Sequence, residues 1–407
     1  MYLVSVDQIH SYLAVPGTED CTFAMARQNA CTSELIRWKS RPAVALSNGA
    51  VELIVLTGGG HIASFRFAGR GPNLLWEVPW TTMDPQNFRE SHDYQKYGRG
   101  PVGKFLSGST GHMLALGYFG MPSAHETEKE LALNGEAASS AWRVTKHTGG
   151  KTAARVVMEV KLPVAGLQLE RQIELRNGEP FARISETVSN QRESQNFFQW
   201  VECATFGEPL LSPKVSVMSI PGFRAQTAPT GYDGHELLAT GQQFRWPIAP
   251  SIRGGSCDLR QSFHQDGKGF VASVLLDTTR ADGFVSVFNP ELRIAAGYCY
   301  SREIFPWVSI WEENHARTNN PWNGMTRARG VQFGTSPLPL GLAQAVFNGP
   351  MFDTPTLTSL DGQKTITAEY RLFAAEVSPA WEAIGEARSE GDRIVLRGTH
   401  RSEVIRI

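Results

Sequence analysis

The stretch "LQLERQIELRNGEPFARISETV", residues 167–188, decides the fold class. From Leu167 to Leu175, Leu, Arg and Ile alternate with Gln and Glu, a period of two that is typical of a β-strand with one buried face. Asn177-Gly178 follows, a pair that favours the tight turn of a β-hairpin. Residues 181–188 then alternate again. The stretch therefore predicts two antiparallel strands joined by a short turn.

Similar strand-like runs, broken by Gly, Pro, Asn and Asp, recur along the chain at 51–56, 61–67, 155–162, 270–276, 284–288, 292–298 and 365–373. Helical patterns are short and few, around 32–39, around 84–91 and at 378–387. Because so little helix separates the strands, the sheets are expected to be mainly antiparallel. We predict a mainly β protein in which residues 1–407 form one β-sandwich domain, with residues 1–40 as an N-terminal extension packed on it.

Composition argues against several classes of partner. The 407 residues are 41% hydrophobic and 19% charged, with a net charge of −1, which is typical of a soluble globular protein. This balance gives no electrostatic reason to expect nucleic acid or an anionic membrane as a partner. No run approaches 18 apolar residues, and the N-terminus does not resemble a signal peptide. The five cysteines are scattered and include no C-x-x-C, which favours reduced thiols and a cytoplasmic location.

No compact motif for metal or nucleophilic chemistry is present. The ten histidines form no H-x-H or H-E-x-x-H pair, so we expect neither a metal nor another cofactor. There is no G-x-S-x-G elbow. Cys203 stands in an apolar strand, where a lone thiol is typical of a core residue.

Four segments combine Gly, Trp and Pro with polar residues at predicted strand ends, where loops carry function. They are GGGHIASFRFAGRGPNLLWEVPW (58–80), GSTGHMLALGYFGMPSAHETEKELALNGEAASSAW (108–142), FFQWVECATFGEPLL (197–211) and FPWVSIWEENHARTNNPWNGMTRARGVQFGTSPLPLG (305–341). Together they resemble the galactose mutarotase (aldose 1-epimerase) family over most of residues 45–375. The resemblance implies a β-supersandwich of large antiparallel sheets, with a cleft on one face for a small-molecule sugar.

The resemblance also implies a reaction, anomer exchange at C1 of a free aldose. In that reaction a carboxylate base and a histidine acid open and close the sugar ring, and a second histidine helps to hold the sugar. At the three matching positions this chain departs from the family pattern. It has Asn134 where His-Gly-Glu-Ala is usual, Cys203 where a strand usually carries a histidine, and Gln332 where the last strand carries the base. Asn and Gln retain hydrogen-bonding capacity but do not transfer protons at neutral pH.

Other residues are candidates for the sugar site. Trp311 is a possible stacking platform, and the following Glu312 and Glu313 are possible substitute carboxylates. Glu202 neighbours Cys203, but adjacent strand residues point to opposite faces, so we expect one of the two to face the cleft. The residues predicted to bind the sugar are Arg66, His112, Asn134, Glu136, Cys203, Trp311, Glu313 and Gln332.

Three functional hypotheses follow from these residues. The chain is an aldose 1-epimerase-like isomerase with rearranged catalytic residues, or a non-catalytic sugar-binding or sensing protein on the same scaffold. The third is a different carbohydrate reaction that uses Glu136, Glu312 or Glu313. The family resemblance favours the first hypothesis, whereas the substitutions at Asn134, Cys203 and Gln332 favour the second.

Overall fold

Two large antiparallel sheets face each other across the main hydrophobic core. The computed structural model describes residues 31–128, 131, 133–400 and 403–407. Within them, 25 strands form four sheets, and four short helices are present. The helices are α1 (Glu90–Tyr97), α2 (Gly100–Gly108), α3 (Ala124–Glu128) and α4 (Leu342–Asn348). The expectation of a mainly β protein with large antiparallel sheets is confirmed.

The larger sheet has ten strands. Nine follow the order β15-β14-β13-β12-β16-β19-β20-β10-β21, and β5 pairs with β10. They are β5 (Met113–Gly117), β10 (Asn196–Gly207), β12 (Gly222–Thr227), β13 (Gln243–Arg245), β14 (Ile248–Pro250), β15 (Ser256–Asp258), β16 (Lys268–Leu276), β19 (Trp307–Asn314), β20 (Arg327–Gly334) and β21 (Thr358–Leu360).

The opposing sheet has eight strands in the order β11-β17-β18-β22-β9-β8-β7-β6. They are β6 (Arg143–Thr148), β7 (Ala153–Leu162), β8 (Leu167–Arg176), β9 (Phe181–Asn190), β11 (Val217–Ser219), β17 (Asp282–Asn289), β18 (Ile294–Ser301) and β22 (Thr365–Glu376). The hairpin predicted from residues 167–188 is confirmed as β8 and β9, and every other predicted strand run corresponds to an observed strand.

Two smaller sheets flank the sandwich. One comprises β1 (Thr32–Trp38), β2 (Arg41–Ser47), β3 (Val51–Leu56) and β4 (Ile62–Phe67), and the other comprises β23 (Ile384–Glu390), β24 (Arg393–Gly398) and β25 (Val404–Arg406). Ile384, Ala387 and Leu396 of the second sheet pack with Phe181 and Phe373 of the eight-stranded sheet in a separate hydrophobic cluster.

Two of the three predicted helices are wrong. Residues 32–38 form β1, because Ile36 and Trp38 pack with period two and Lys39-Ser40, both at positive φ, turn the chain back into β2. In 378–387 the chain turns and then enters β23, whose Ile384 and Ala387 are buried. Near 84–91 a 3₁₀ turn (Pro85–Asn87) precedes α1, so the helix there begins later than predicted.

The predicted domain arrangement stays a prediction. Residues 1–30 lie outside the described residues, so most of the expected N-terminal extension, 1–40, has no structural account. The described part of that range contributes β1, which pairs along its whole length with β2.

Candidate functional site

A line of side chains crosses the outer face of the ten-stranded sheet. Directly paired residues on neighbouring strands share a face, so the register places this line from β10 through β20, β19 and β16 to β12. The face lies away from the main core, which receives the alternate residues of the same strands. We call it the site face, and we call this line the polar row; its members are Cys203, Gln332, Ser309, Ser273 and Gln226.

Three members of the polar row carry polar groups without partners. The Oγ atoms of Ser309 and Ser273 are buried and have no hydrogen-bond partner among the described residues. Gln332 between them and Cys203 is half-buried, and its side-chain amide makes no hydrogen bond to the described residues. Buried hydroxyls are normally hydrogen-bonded in folded proteins. The half-buried Gln332 amide is therefore the unused polar group of these three that a ligand can reach, because Ser309 and Ser273 are completely buried.

Trp311 lies beside Gln332 on the site face. It pairs with Gly330 on β20, and a Cβ atom added at Gly330 would lie 3.3 Å from the indole and 3.5 Å from the Gln332 side chain. A Cβ atom at position 330 would therefore be tight against Trp311, which would have to shift by a few tenths of an ångström, and in ordinary contact with Gln332. Glycine here lets an aromatic ring and an amide lie next to each other on the sheet.

Trp311 belongs to a cluster of four indoles, the tryptophan cluster. Trp76 and Trp322 are stacked at 6.2 Å between ring centroids, Trp80 lies edge-on 5.0 Å from Trp322, and Trp311 lies 5.9 Å from Trp322. The first three are at least nine-tenths buried, whereas Trp311 is half-buried. Trp311 is thus the indole of this cluster with the most surface left for a ligand.

A cavity of about 380 Å³ lies at the other end of the polar row. Gln226 lines it together with Ser336, Met351 and Thr356, and α4 contributes Ala345 and Asn348. This volume lies within the usual range for small-molecule sites, roughly 300–1,000 Å³.

Glu313, the carboxylate predicted on this face, is fully occupied by its own protein. It accepts hydrogen bonds from the backbone N–H groups of Ala316 (2.6 Å) and Arg317 (2.9 Å) and from the Tyr232 hydroxyl (2.7 Å). Trp311 Nε1 donates to the same Tyr232 oxygen at 2.8 Å. The carboxylate thus fixes the loop after β19 and, through Tyr232, the orientation of Trp311.

Cys203 faces the same side as Gln332, its direct cross-strand partner, but is fully buried. It packs in the cluster that contains Met113, Val201 and Trp322. Burial raises the pKa of its thiol well above the usual range, so the thiol stays protonated at neutral pH. Of the three family-matching positions, the structure brings Cys203 and Gln332 together, whereas Asn134 is not part of the polar row.

His112 lies in the main core, on the opposite side of the sheet from the polar row. Its Nε2 is 2.8 Å from a Glu202 carboxylate oxygen, and Tyr298 OH is 3.1 Å from its Nδ1. A carboxylate accepts only, so Nε2 carries the proton and Nδ1 accepts from the tyrosine. Burial lowers the pKa of His112 to about 3, which keeps the ring neutral. As expected from strand alternation, Glu202 and Cys203 point to opposite faces.

The histidine is part of a buried charged cluster, the core network, formed by His112, Arg171, Glu186, Glu202 and Tyr370. Arg171 Nε donates to Glu186 at 2.5 Å, and its Nη2 lies 3.8 Å from Glu202. The Tyr370 hydroxyl lies within hydrogen-bond distance of both carboxyl groups, 3.0 Å from Glu186 and 3.1 Å from Glu202. Both carboxylates are completely buried, with one arginine between them. Burial, with repulsion from Glu202, raises the pKa of Glu186 to about 7.

The remaining predicted residues make structural contacts. Arg66 pairs with Glu52 at 2.8 Å in the four-stranded sheet. Asn134, at φ 64°, accepts the Gly120 N–H at 2.9 Å. Glu136 accepts the Ala165 N–H at 2.9 Å, and burial raises its pKa. Glu312 points to the core and pairs with Arg329. A sugar-binding role for Arg66, His112, Asn134 and Glu136 stays a prediction.

Ser309, Ser273 and Gln226 were missed at the sequence level. Each interrupts a run of strand residues in "WVSIWEEN", "FVASVLL" or "GFRAQT". A single hydroxyl or amide in such a strand is a weak signal of a polar face, but only the register shows that the three lie side by side.

Solved structures share this architecture. One from Klebsiella pneumoniae, named "putative aldose 1-epimerase", aligns with TM-score 0.61 at 13% identity over 86% of this chain and 84% of its own. A galactose mutarotase-like protein from Clostridium acetobutylicum aligns with TM-score 0.57 at 12% identity, over 86% of this chain and all of its own. A galactose mutarotase related enzyme from Lactobacillus acidophilus aligns with TM-score 0.52 at 11% identity, over 83% and 98%. The chain has the galactose mutarotase-like fold. No protein-family model and no curated protein matches the chain.

Within the described residues, no helix has the length and apolar content needed to cross a membrane. In the same part of the chain, no three His, Cys, Asp or Glu side chains are grouped so that they could hold a metal ion.

A buried histidine near the loop between β3 and β4 predicts acid sensitivity. His61 is completely buried, its Nε2 is 2.9 Å from the Ala138 carbonyl, and burial, with repulsion from Arg41 and Arg171, lowers its pKa to about 3. In the unfolded chain His61 is protonated below about pH 6.5, whereas in the folded chain it is protonated only below about pH 3. The free energy of unfolding therefore decreases as the pH falls from about 6.5 to about 3. Between pH 6.5 and 4.5, we expect the free energy of unfolding of the wild type to fall by about 1.4 kcal/mol per pH unit more than that of His61→Gln, because the variant has no imidazole to protonate.

Urea unfolding of wild type and His61→Gln at pH 6.5, 5.5 and 4.5 measures this difference. His125→Gln is the control, since that ring is 73% exposed. If the free energies of unfolding of wild type and His61→Gln changed equally with pH, His61 would not be a buried, neutral histidine in the folded protein.

Proposed function

We propose that the protein binds a saccharide on the site face and does not catalyse anomer exchange. The observation that carries the proposal is the pairing of Gln332 with Cys203 across β10 and β20, at positions where the resembling family places proton-transfer residues. The half-buried Gln332 amide, without a partner among the described residues, has a donor and an acceptor free for sugar hydroxyls.

The neighbours of Gln332 suit a sugar ring. Trp311 provides an aromatic surface for the C–H face of a pyranose beside the Gln332 amide, whereas Ser309 and Ser273 on the same line are completely buried. The cavity at Gln226 leaves room for a second ring or a substituent. Hydroxyl-rich ligands are recognised by such a combination of an apolar platform and a few placed polar groups.

Among the described residues, the site face lacks the groups that anomer exchange requires. Anomer exchange needs a base at the C1 hydroxyl and an acid at the ring oxygen. Gln332 does not titrate, and the Cys203 thiol is protonated and buried. Glu313 is engaged by four donors, of which the fourth is Arg317 Nη1 at 3.3 Å. Losing a positioned acid or base typically costs about 10²- to 10⁴-fold in rate each.

The shared fold supports the carbohydrate assignment by analogy, since the similar proteins are named as epimerases, mutarotases or their relatives. A cytoplasmic location is part of the proposal. It is supported by Cys31, Cys203, Cys257 and Cys299, which are all free thiols.

Binding and turnover are tested separately. Calorimetric titration with glucose, galactose, a uronic acid and a deoxy sugar is expected to find at least one ligand, and Gln332→Ala is expected to weaken its binding about tenfold through lost hydrogen bonds. Gln168→Ala on the outer face of the eight-stranded sheet is the matched control. NMR of freshly dissolved α-anomers is expected to show the spontaneous mutarotation rate with and without wild-type protein.

Each half of the proposal has its own contradicting result. Accelerated mutarotation by the wild type would refute the absence of turnover and require a base elsewhere. Equal affinity of wild type and Gln332→Ala for every sugar that binds would refute the site face as the binding site, and no binding by any sugar of the panel would refute saccharide binding.

A further inference from the structure

A second concavity, of about 430 Å³, lies at the β12–β13 end of the ten-stranded sheet. Its lining comprises two arginines, three phenylalanines, one glutamine and one alanine: Arg224, Arg245, Phe223, Phe244, Phe352, Gln243 and Ala225. We call it the arginine pocket. No residue of the polar row lines it.

The two arginines are placed against each other. Arg224 on β12 and Arg245 on β13 are direct cross-strand partners, a position in which like charges destabilise a sheet. The carboxylate that reaches Arg224 is Asp353, at 3.7 Å and 98% exposed, and Arg245 has no ion pair among the described residues. The pocket therefore holds positive charge that the described residues do not neutralise.

Each guanidinium lies over a phenyl ring. Arg224 Cζ is 4.4 Å from the Phe352 ring centroid, and Arg245 Cζ is 5.7 Å from that of Phe223. Such stacking holds the planar groups in place. Arg224 Nη1 also donates to the Phe352 carbonyl at 3.4 Å, and the other guanidinium N–H groups remain available to a ligand. Phe223 itself is 53% exposed, so apolar ring surface is accessible in the same place as the charge.

We infer that the arginine pocket binds an anionic saccharide. Its oxyanion accepts hydrogen bonds from Arg224 and Arg245, the apolar face of its ring packs on exposed phenyl surface, and Gln243 hydrogen-bonds a ring hydroxyl. The inference does not rest on the proposed function, because it uses no residue of the polar row. Gln243 is, however, the cross-strand partner of Gln226, so the arginine pocket adjoins the cavity at the end of that row.

The first experiment compares three small probes by NMR or calorimetric titration at low salt. Glucuronate carries both ring and charge, its methyl ester keeps the ring without the charge, and acetate keeps the charge without the ring. We expect glucuronate to bind at least about tenfold tighter than either of the other two, and more weakly as salt is raised. Equal affinity for the ester overturns the ionic contact, and equal affinity for acetate overturns the saccharide.

The second experiment uses variants that preserve folding. Arg245→Gln is expected to weaken glucuronate binding about tenfold. Arg245→Glu is expected to abolish it while the melting temperature stays equal or rises, because an opposite-charge pair with Arg224 replaces a like-charge pair. Arg253→Gln, an exposed arginine outside the pocket, is the control. Unchanged glucuronate affinity in a folded Arg245→Glu protein would overturn the assignment, whatever Gln332 variants do.

Discussion

Arg171→Met is expected to lower the free energy of unfolding by about 3–5 kcal/mol at pH 7. The Arg171 side chain is 1% exposed and lies between Glu186 and Glu202, which are completely buried. Methionine fills much of the same volume but leaves two carboxylates in the core without their cation. An uncompensated charge in a low-dielectric interior is among the most destabilising single changes in a protein.

Urea denaturation of the purified variant measures this loss. Arg155→Met is the matched control, because Arg155 is 52% exposed and pairs with Glu174 on the same sheet, and we expect that change to cost less than about 1 kcal/mol. Burial already raises the pKa of Glu186 to about 7, and removing Arg171 raises it further, so the loss is expected to be smaller at pH 5 than at pH 7. If Arg171→Met had the same free energy of unfolding as the wild type, Arg171 would not be stabilising the two buried carboxylates of the core network.

The position of Arg171 illustrates what alternation predicts. In residues 167–188 the arginine occupies the same phase as Leu169 and Ile173, and that phase is buried. The strand and its inward face could therefore be predicted from local pattern. That Arg171 meets Glu202 and lies near His112 depends on how β8, β10 and the residue before β5 are aligned across the core, and no local pattern specifies that alignment.

Short helices and edge elements were the least predictable parts of the fold. α2 has the sequence GPVGKFLSG, with three glycines that disfavour helix, and its buried Phe105 and Leu106 pack in the hydrophobic cluster on the site face. Tertiary packing stabilises it. Conversely, the helix predicted at 378–387 is absent because Ile384 and Ala387 are buried as part of a strand.

The candidate site was only partly predictable. Gln332, Cys203, Trp311 and Glu313 were predicted and do share the site face. The four internal donors to Glu313 could not be predicted, because three come from the loop after β19 and one from Tyr232, about 80 residues away along the chain. Sequence identifies which residue types are available, whereas the hydrogen-bond partners decide whether a carboxylate is free for chemistry.

Cys203→His is expected to lower the free energy of unfolding by about 3 kcal/mol or more, without creating an acid catalyst. Cys203 is fully buried in the cluster with Met113, Val201 and Trp322, so a larger imidazole must displace its neighbours. Overpacking of a core typically costs about 1–3 kcal/mol, and a buried imidazole without partners adds a similar amount. The hydrophobic cluster that contains Cys203 thus leaves no room for a catalytic histidine.

Urea denaturation and the α-anomer NMR assay check this on three variants. Cys203→Ala is the size control and is expected to cost about 1 kcal/mol, whereas Gln332→Glu, at a half-buried position, is expected to cost less than Cys203→His. The double variant Cys203→His/Gln332→Glu is expected to leave mutarotation at the spontaneous rate, because the imidazole has no aqueous position from which to donate a proton. A stable double variant that accelerates mutarotation would show that the site face still accommodates an acid–base pair, and that two substitutions separate this chain from an epimerase.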